Sequence, residues 1–343
     1  MRSLSLAAGL IIAALIITLL IVGKTFLVPL FLAVVIWYLI NAVNELVQET
    51  PAIGRFIPDW LGKTISAALI LGFLYLISIL VSDNIRQMIA VAPDYQNNFW
   101  AQMENIFHRF GMEMPDVDTL LADINIANIL QQILGNLGGF VKGFVLVVIY
   151  VIFLLLEEKF FNRKLEELRL TSERSAKVTK ILDHINEAAR TYILVKTFTS
   201  VVTGILSYAV LYWVGIDFAL FWGFLIFLLN YIPTFGSIIA TAFPSLLALV
   251  QFDSLSPFLI VLFVVVGIQL LMGSFLEPRW MGDQLNISPL VVLLSLTLWG
   301  IIWGPVGMLL CVPITIILII IFSQFPSTRP IAVLLSKDGK VLE

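Results

Sequence analysis

The sequence predicts an all-α polytopic membrane protein, and three observations carry that prediction. Of 343 residues, 60% are hydrophobic and only 13% charged, whereas soluble domains are nearer half apolar and a quarter charged. Apolar runs of about 18 residues or more recur along the chain, each long enough to cross roughly 30 Å of hydrocarbon. Two still longer runs are interrupted by Pro and Gly, the strongest helix punctuators. The expected architecture is six full spans plus two broken or re-entrant helical segments, with a small helical extramembrane insertion.

The first run, within MRSLSLAAGLIIAALIITLLIVGK, has an apolar core from Leu4 to Val22. That exceeds a signal-peptide core and a second run follows at once, so it reads as a retained span. Further spans are predicted at 26–43, 64–82, 137–156, 192–214 and 257–275, all dominated by Leu, Ile, Val, Phe and Ala. Segments 219–250 and 289–322 exceed thirty residues, and as straight helices at about 1.5 Å per residue they would overshoot the bilayer. The first is broken at Asn230-Tyr231-Ile232-Pro233-Thr234-Phe235-Gly236, the second at Trp303-Gly304-Pro305-Val306-Gly307. Each has a Trp-Gly pair before the break and a Pro after it (Pro244, Pro313), so full span and broken segment form a weak repeat.

Lys and Arg bias orients the chain, because positively charged short loops stay cytoplasmic. Residues 157–190 hold eight basic residues, against two basic and seven acidic residues in 83–136. The first segment is therefore expected inside and the second outside, with both termini cytoplasmic. The resulting division is 1–82, N-terminal transmembrane helices; 83–136, an extracytoplasmic helical insertion lying on the membrane face; 137–156, a further span; 157–190, a charged amphipathic cytoplasmic helix; 191–322, a transport core; and 323–343, a cytoplasmic tail. Two topologies fit the broken segments. Straight crossings put 276–288 outside; re-entrant hairpins put it inside and make 192–250 recur inverted as 257–322, an arrangement by which transporters build alternating access.

Enzyme chemistry is not expected. No HExxH, Walker A or G-x-S-x-G motif occurs, and His108 and His184 fall in different compartments of the predicted topology. The sole cysteine, Cys311, lies in an apolar run, which excludes an internal disulfide and argues against a metal cluster. No cofactor or metal is expected, and a net charge of −3 suggests no nucleic-acid partner. Acids inside a span are the default candidates for ion coupling; here Glu45, Glu157, Asp217, Glu277 and Asp283 stand only at predicted span ends. Backbone freed by Pro233 and Gly236 needs partners in hydrocarbon, so the first break is expected to line a cavity or pack on another element. There Asn230, Tyr231 and Thr234 offer hydrogen bonds to a neutral polar solute. Glu277 and Arg279, two apart, would not face each other on a regular helix and are read as part of a loop, and Pro289 marks the next helix start.

NYIPxxG at 230–236, LEPRxMGxxLNISPLVVLLS at 276–295 and GxxxGPxGMLLCVP at 300–313 resemble motifs of the autoinducer-2 exporter family, the PerM-type permeases. The resemblance implies a multi-pass transporter of the bacterial cytoplasmic membrane and a homo-oligomer, with a pentamer the expected size. Carried over by motif, the implied transport and gating positions are Asn230, Tyr231, Pro233 and Gly236 at the first break. Glu277, Pro278, Arg279 and Gly282 join them from the connecting stretch, and Pro289, Gly304, Gly307 and Pro313 from the second segment. At the second break this chain has the bulkier Trp303-Gly304-Pro305. The favoured reading is export of a small polar uncharged solute such as autoinducer-2. A sodium/proton antiporter using Glu277 or Glu45, and a non-transporting membrane scaffold, stay open beside it.

Overall fold

The computed structural model of the chain describes residues 2–50, 57–109, 143–252 apart from 159, 162, 165, 166 and 168–172, then 254–281 and 286–340. Among the described residues, every regular element is helical. Helix α1 is Arg2–Val22, α2 Lys24–Glu49, α3 Asp59–Arg109 and α5 Glu173–Val214; α4 covers 143–158. Then come α6 (Ala219–Leu229), α7 (Phe235–Gln251), α8 (Leu255–Leu270, prolonged to Met281), α9 (Pro289–Trp303), α10 (Pro305–Ser323) and α11 (Arg329–Leu335). Among the described residues, five stretches are long and apolar enough to cross a membrane: Lys24–Glu49, Asp59–Val91, Val178–Val214, Leu255–Met281 and Pro305–Ser323. This is a multi-pass membrane protein.

Two predicted boundaries dissolve into longer helices. Helix α3 runs for 51 residues, about 75 Å at 1.5 Å per residue. It therefore carries the span at 64–82 on into the insertion with no helix end at residue 82. Within it, Tyr95 donates to Asp217 Oδ2 at 2.6 Å; burial first, then the adjoining carboxylate, raises the Tyr95 pKa. The remainder of the insertion, 110–136, lies outside the described residues. Helix α5 runs for 42 residues and joins the charged segment to the span at 192–214. At neither junction, residues 82–83 or 190–191, does a Gly or Pro stand, and Pro93, further along α3, lies inside the helix without ending it.

The chain divides into two compact units, one of 1–70, 144–196 and 279–343, the other of 71–143 and 197–278. In the first, Ala33 and Ile40 of α2 pack with Val147 and Val151 of α4. Polar side chains tie the helix ends beside this core. Lys63 Nζ meets Glu158 at 2.9 Å and Asp59 at 3.3 Å, Trp37 Nε1 donates to Glu158 at 3.2 Å, and Arg190 pairs with Glu45. In the second unit, Leu211 of α5, Trp222 and Ile226 of α6, Ala240 and Ala248 of α7, and Val261 and Val265 of α8 form the core.

Both broken segments are antiparallel hairpins, each within one unit. In α6–α7, Trp222 stacks on Phe243 at 6.1 Å, and Gln251 at the far end bonds back to Gly215 O and to the Asp217 N–H at 2.8 and 2.9 Å. In α9–α10, the Ser295 hydroxyl reaches Thr315 Oγ1 and Cys311 O, and the Ser288 N–H donates to Leu335 O at 3.1 Å. Asn286 then clasps the tail: its Oδ1 accepts from the backbone N–H groups of Lys337 and Asp338, and its Nδ2 donates to Asp338 Oδ1 and Lys340 O. Each segment's two ends therefore meet, which a straight crossing prevents. At 11 and 15 residues, α6 and α9 reach only about 17 and 23 Å at 1.5 Å per residue, short of the roughly 30 Å core.

Candidate functional site

The two breaks use one device. Gly236, the second residue of α7, passes so close to the end of α6 that an added Cβ would sit 1.8 Å from Leu229 O. Gly307, near the start of α10, passes the end of α9 likewise, with a Cβ 1.9 Å from Trp299 O. Only glycine lets the returning helix cross its predecessor's carbonyl there. The reversal itself differs. At the second break Gly304 turns the chain alone with φ +65°, serving both helices as terminal residue. At the first, a five-residue turn ends in Thr234 at φ +61°, a left-handed conformation that a β-branched residue holds only under strain of about 1–3 kcal/mol.

The partner of the first hairpin is the buried face of α5. From Thr199 through Ser200 and Thr203 to Ser207, every third or fourth residue is hydroxylic and buried, which at 3.6 residues per turn is one continuous stripe. Lys196, one turn earlier, is buried as well. The opposite face is apolar and exposed, with Phe198, Val201 and Ile205, and Leu206 and Trp213 extend the exposed surface along its flank. A bilayer helix with its polar side inward and its apolar side outward is built to shield hydroxyls from lipid. Gly204 lies within this stripe, and a Cβ there would meet Phe227 Cβ at 2.8 Å and Gly223 O at 2.9 Å, so the α5 and α6 backbones touch, as small residues allow in membrane helix pairs.

Three side chains singled out from the sequence converge on this helix. Asn230 Nδ2 donates to Ser200 Oγ at 3.0 Å. The buried Tyr231 hydroxyl donates to Thr197 Oγ1 at 2.6 Å. Thr199 Oγ1 donates to Glu277 Oε2 over a long 3.5 Å. Glu277 stands on a helix and not in a loop. The span does not end near residue 275; it passes through a π-helical turn, Leu271–Leu276, in which the Glu277 N–H bonds to Met272 O, and continues as Glu277–Met281. Pro278 supplies the reason. It has no N–H for a regular bond to residue 274 and its ring crowds the preceding turn, and the wider π turn accommodates both.

The other predicted positions divide. Pro233 is half-buried in the first turn, and Pro278 and Arg279 are exposed on the final helical turn after the π segment. Gly282 lies outside the described residues. Pro289 occupies the first turn of α9, and Pro313 is buried inside α10. With Gly304 and Gly307 they belong to the unit of the second hairpin, not to that holding Asn230, Tyr231 and Glu277. The stripe on α5 and Lys196 escaped the sequence reading. Their signal is the spacing 196, 199, 200, 203, 207 inside a run otherwise judged apolar.

The chain matches the sequence profile of the AI-2E family transporters over residues 10–327. It belongs to that family. It is 33% identical over 322 residues, 92% of this chain and 89% of the relative, to the AI-2 transport protein TqsA of Escherichia coli K12. It is 31% identical over 319 residues, 90% of this chain and 88% of the relative, to a Haemophilus influenzae protein named "Putative transport protein". YueF of Bacillus subtilis, which bears the same description, is 23% identical over 85% of this chain and 82% of its own. As an AI-2E family member the chain is a membrane transporter, and the hairpins and the α5 stripe place polar groups inside apolar helices.

Proposed function

We propose that this transporter exports a small, polar, uncharged solute, with autoinducer-2 the first candidate, and that it has no enzymatic activity. One observation carries the reading: the tip of the first hairpin hydrogen-bonds to hydroxyls of a membrane-spanning helix, Asn230 to Ser200 of its buried row and Tyr231 to the adjoining Thr197. Hydroxyls, an amide and a phenol both donate and accept, which suits a neutral solute. The name of TqsA supports autoinducer-2 as the solute to try first.

In this reading the protein sits in the bacterial cytoplasmic membrane with both termini inside, as the basic residues of 157–190 and of the tail support. Helix α8, 27 residues from Leu255 to Met281, separates the hairpins along the chain and is long enough to cross the bilayer, so span and hairpin recur in the order that inverted-repeat transporters use for alternating access. The tip of α6–α7 acts as a gate, released when Asn230 and Tyr231 leave Ser200 and Thr197.

A second reading, cation/proton antiport, draws on Glu277, a carboxylate on the spanning helix itself. Glu45 supports it less, since it is already engaged by Arg190. Purified protein in vesicles loaded with autoinducer-2 separates the two. Efflux with no accompanying change in internal pH is the expected result, whereas sodium-dependent proton movement without autoinducer-2 efflux replaces the first reading by the second.

A further inference from the structure

Among the described residues, Ser207 and Trp222 are the unexplained groups of the second unit. Ser207 Oγ and Trp222 Nε1 are both buried and neither has a hydrogen-bond partner, although the residues are only 0% and 7% exposed. A polar atom buried without a partner is destabilising unless something fills it in another state. Their placement is not scattered. Ser207 ends the hydroxyl stripe of α5, and its neighbours Tyr208 and Leu211 pack in the same cluster as Trp222. Gly223, next to Trp222, approaches Tyr208 Cβ to 2.7 Å and Gly204 O to 3.1 Å, measured from an added Cβ. Ser207 and Trp222 are thus each the chain neighbour of a residue in the α5–α6 crossing, Tyr208 and Gly223. Thr199 to Ser207 spans about 12 Å at 1.5 Å per residue. One end of the stripe is met by Asn230 and Glu277, with Tyr231 on the adjoining Thr197; at the other end Ser207 offers an O–H with nothing to receive it, and on α6 Trp222 offers an N–H likewise.

We propose that the buried face of α5 from Thr199 to Ser207 is a solute-binding lane, and that Ser207 and Trp222 form its second subsite, which takes an oxygen acceptor of a neutral, hydroxyl-bearing solute. Trp222 Nε1 can only donate, so the atom it receives is a carbonyl, ether or hydroxyl oxygen. Ser207 both donates and accepts, and the hydroxyls of Thr203 and Ser200 continue the same chemistry toward the hairpin tip. A solute moving along the lane exchanges its hydroxyl partners one turn at a time and is never left unpaired in hydrocarbon. The tip bonds of Asn230 and Tyr231 are then the contacts a solute displaces at one end, and the orphaned pair those it gains at the other. This inference rests on the neutral-solute reading above.

The test uses full-length protein with Cys311→Ala and one new cysteine, in vesicles. Ser207→Cys is expected to react with a small water-soluble methanethiosulfonate, at a rate lowered at least threefold by autoinducer-2 or, if that is not the solute, by D-ribose. Ile205→Cys, on the exposed apolar face, is expected to stay unreactive. Trp222→Phe, which keeps the ring and deletes the N–H, should raise the solute concentration for half-maximal protection about fivefold, the effect of one hydrogen bond. A Ser207→Cys that stays unreactive, reacts with no protection from either solute, or is protected equally well with Trp222→Phe overturns the proposal. Labelling reports on the lane without transport, so loss of autoinducer-2 efflux alone tests the proposed function and not this subsite.

Discussion

Tyr231→Phe is the most direct perturbation of the hairpin tip, because it deletes one oxygen and keeps the ring. That oxygen is buried and donates to Thr197 Oγ1 at 2.6 Å, while the ring stands edge-on to Phe227 at 5.7 Å and would be kept. One such bond contributes about 1 kcal/mol net, so the population in which the tip has left α5 should rise about fivefold. Hydrogen exchange of the backbone amides at 230–236, measured on protein in nanodiscs, reads that population directly. Exchange there is expected to quicken about fivefold, with the amides of α9–α10 unchanged. Thr197→Val should give the same increase, and the double variant little more than either alone, since both remove one interaction. If Tyr231→Phe leaves exchange at the tip within experimental error of the parent, or if the two variants add fully, the bond does not hold the tip and the gate assignment fails.

The close crossings at the two breaks predict a matched pair of effects. Gly236→Ala and Gly307→Ala each place a Cβ within 2 Å of a backbone carbonyl that has no flexible end to move. Each should destabilise its hairpin by about 1–3 kcal/mol or more, seen as a lowered midpoint in thermal unfolding in detergent; Gly267→Ala, where a Cβ meets nothing within 4 Å, is the control that should not. The tail clasp predicts a pH dependence. The hydrogen bond from Asn286 is the main influence holding the Asp338 carboxyl below its ordinary value. The clasp's contribution is therefore complete above the usual carboxylate range near pH 4 and is lost as pH falls through the lower folded value. Amides 337–340 should exchange faster relative to intrinsic rates on acidification below about pH 4, and Asn286→Ala should remove that dependence.

What the sequence disclosed and what it withheld follow from the range of the signals. Asn230, Pro233 and Gly236 were readable because Pro and Gly act on their own backbone, and an apolar run too long for the bilayer has to break somewhere. Three things were not local. Pro278 suggested a loop after residue 275, yet the helix absorbs it by widening to a π turn, since continuing the helix keeps backbone groups paired in an apolar setting. The partners of Asn230 and Tyr231 lie 30 and 34 residues back, a pairing that spacing alone does not encode. The stripe on α5 was in plain view as spacing but was masked by a hydropathy average. Averaging over a window cannot tell hydroxyls gathered on one face from hydroxyls spread around the helix.

The inverted character of α5 has a consequence for biogenesis. Its buried polar residues, Lys196 through Ser207, are made before their cover: Asn230 and Tyr231 follow by some twenty or more residues and Glu277 by seventy or more. When α5 leaves the translocation machinery its hydroxyls and its lysine face either lipid or helices already in place. Nascent chains stalled before residue 230 therefore hold a helix whose polar side awaits its partners, and protease resistance of that region should arise only after the first hairpin has emerged.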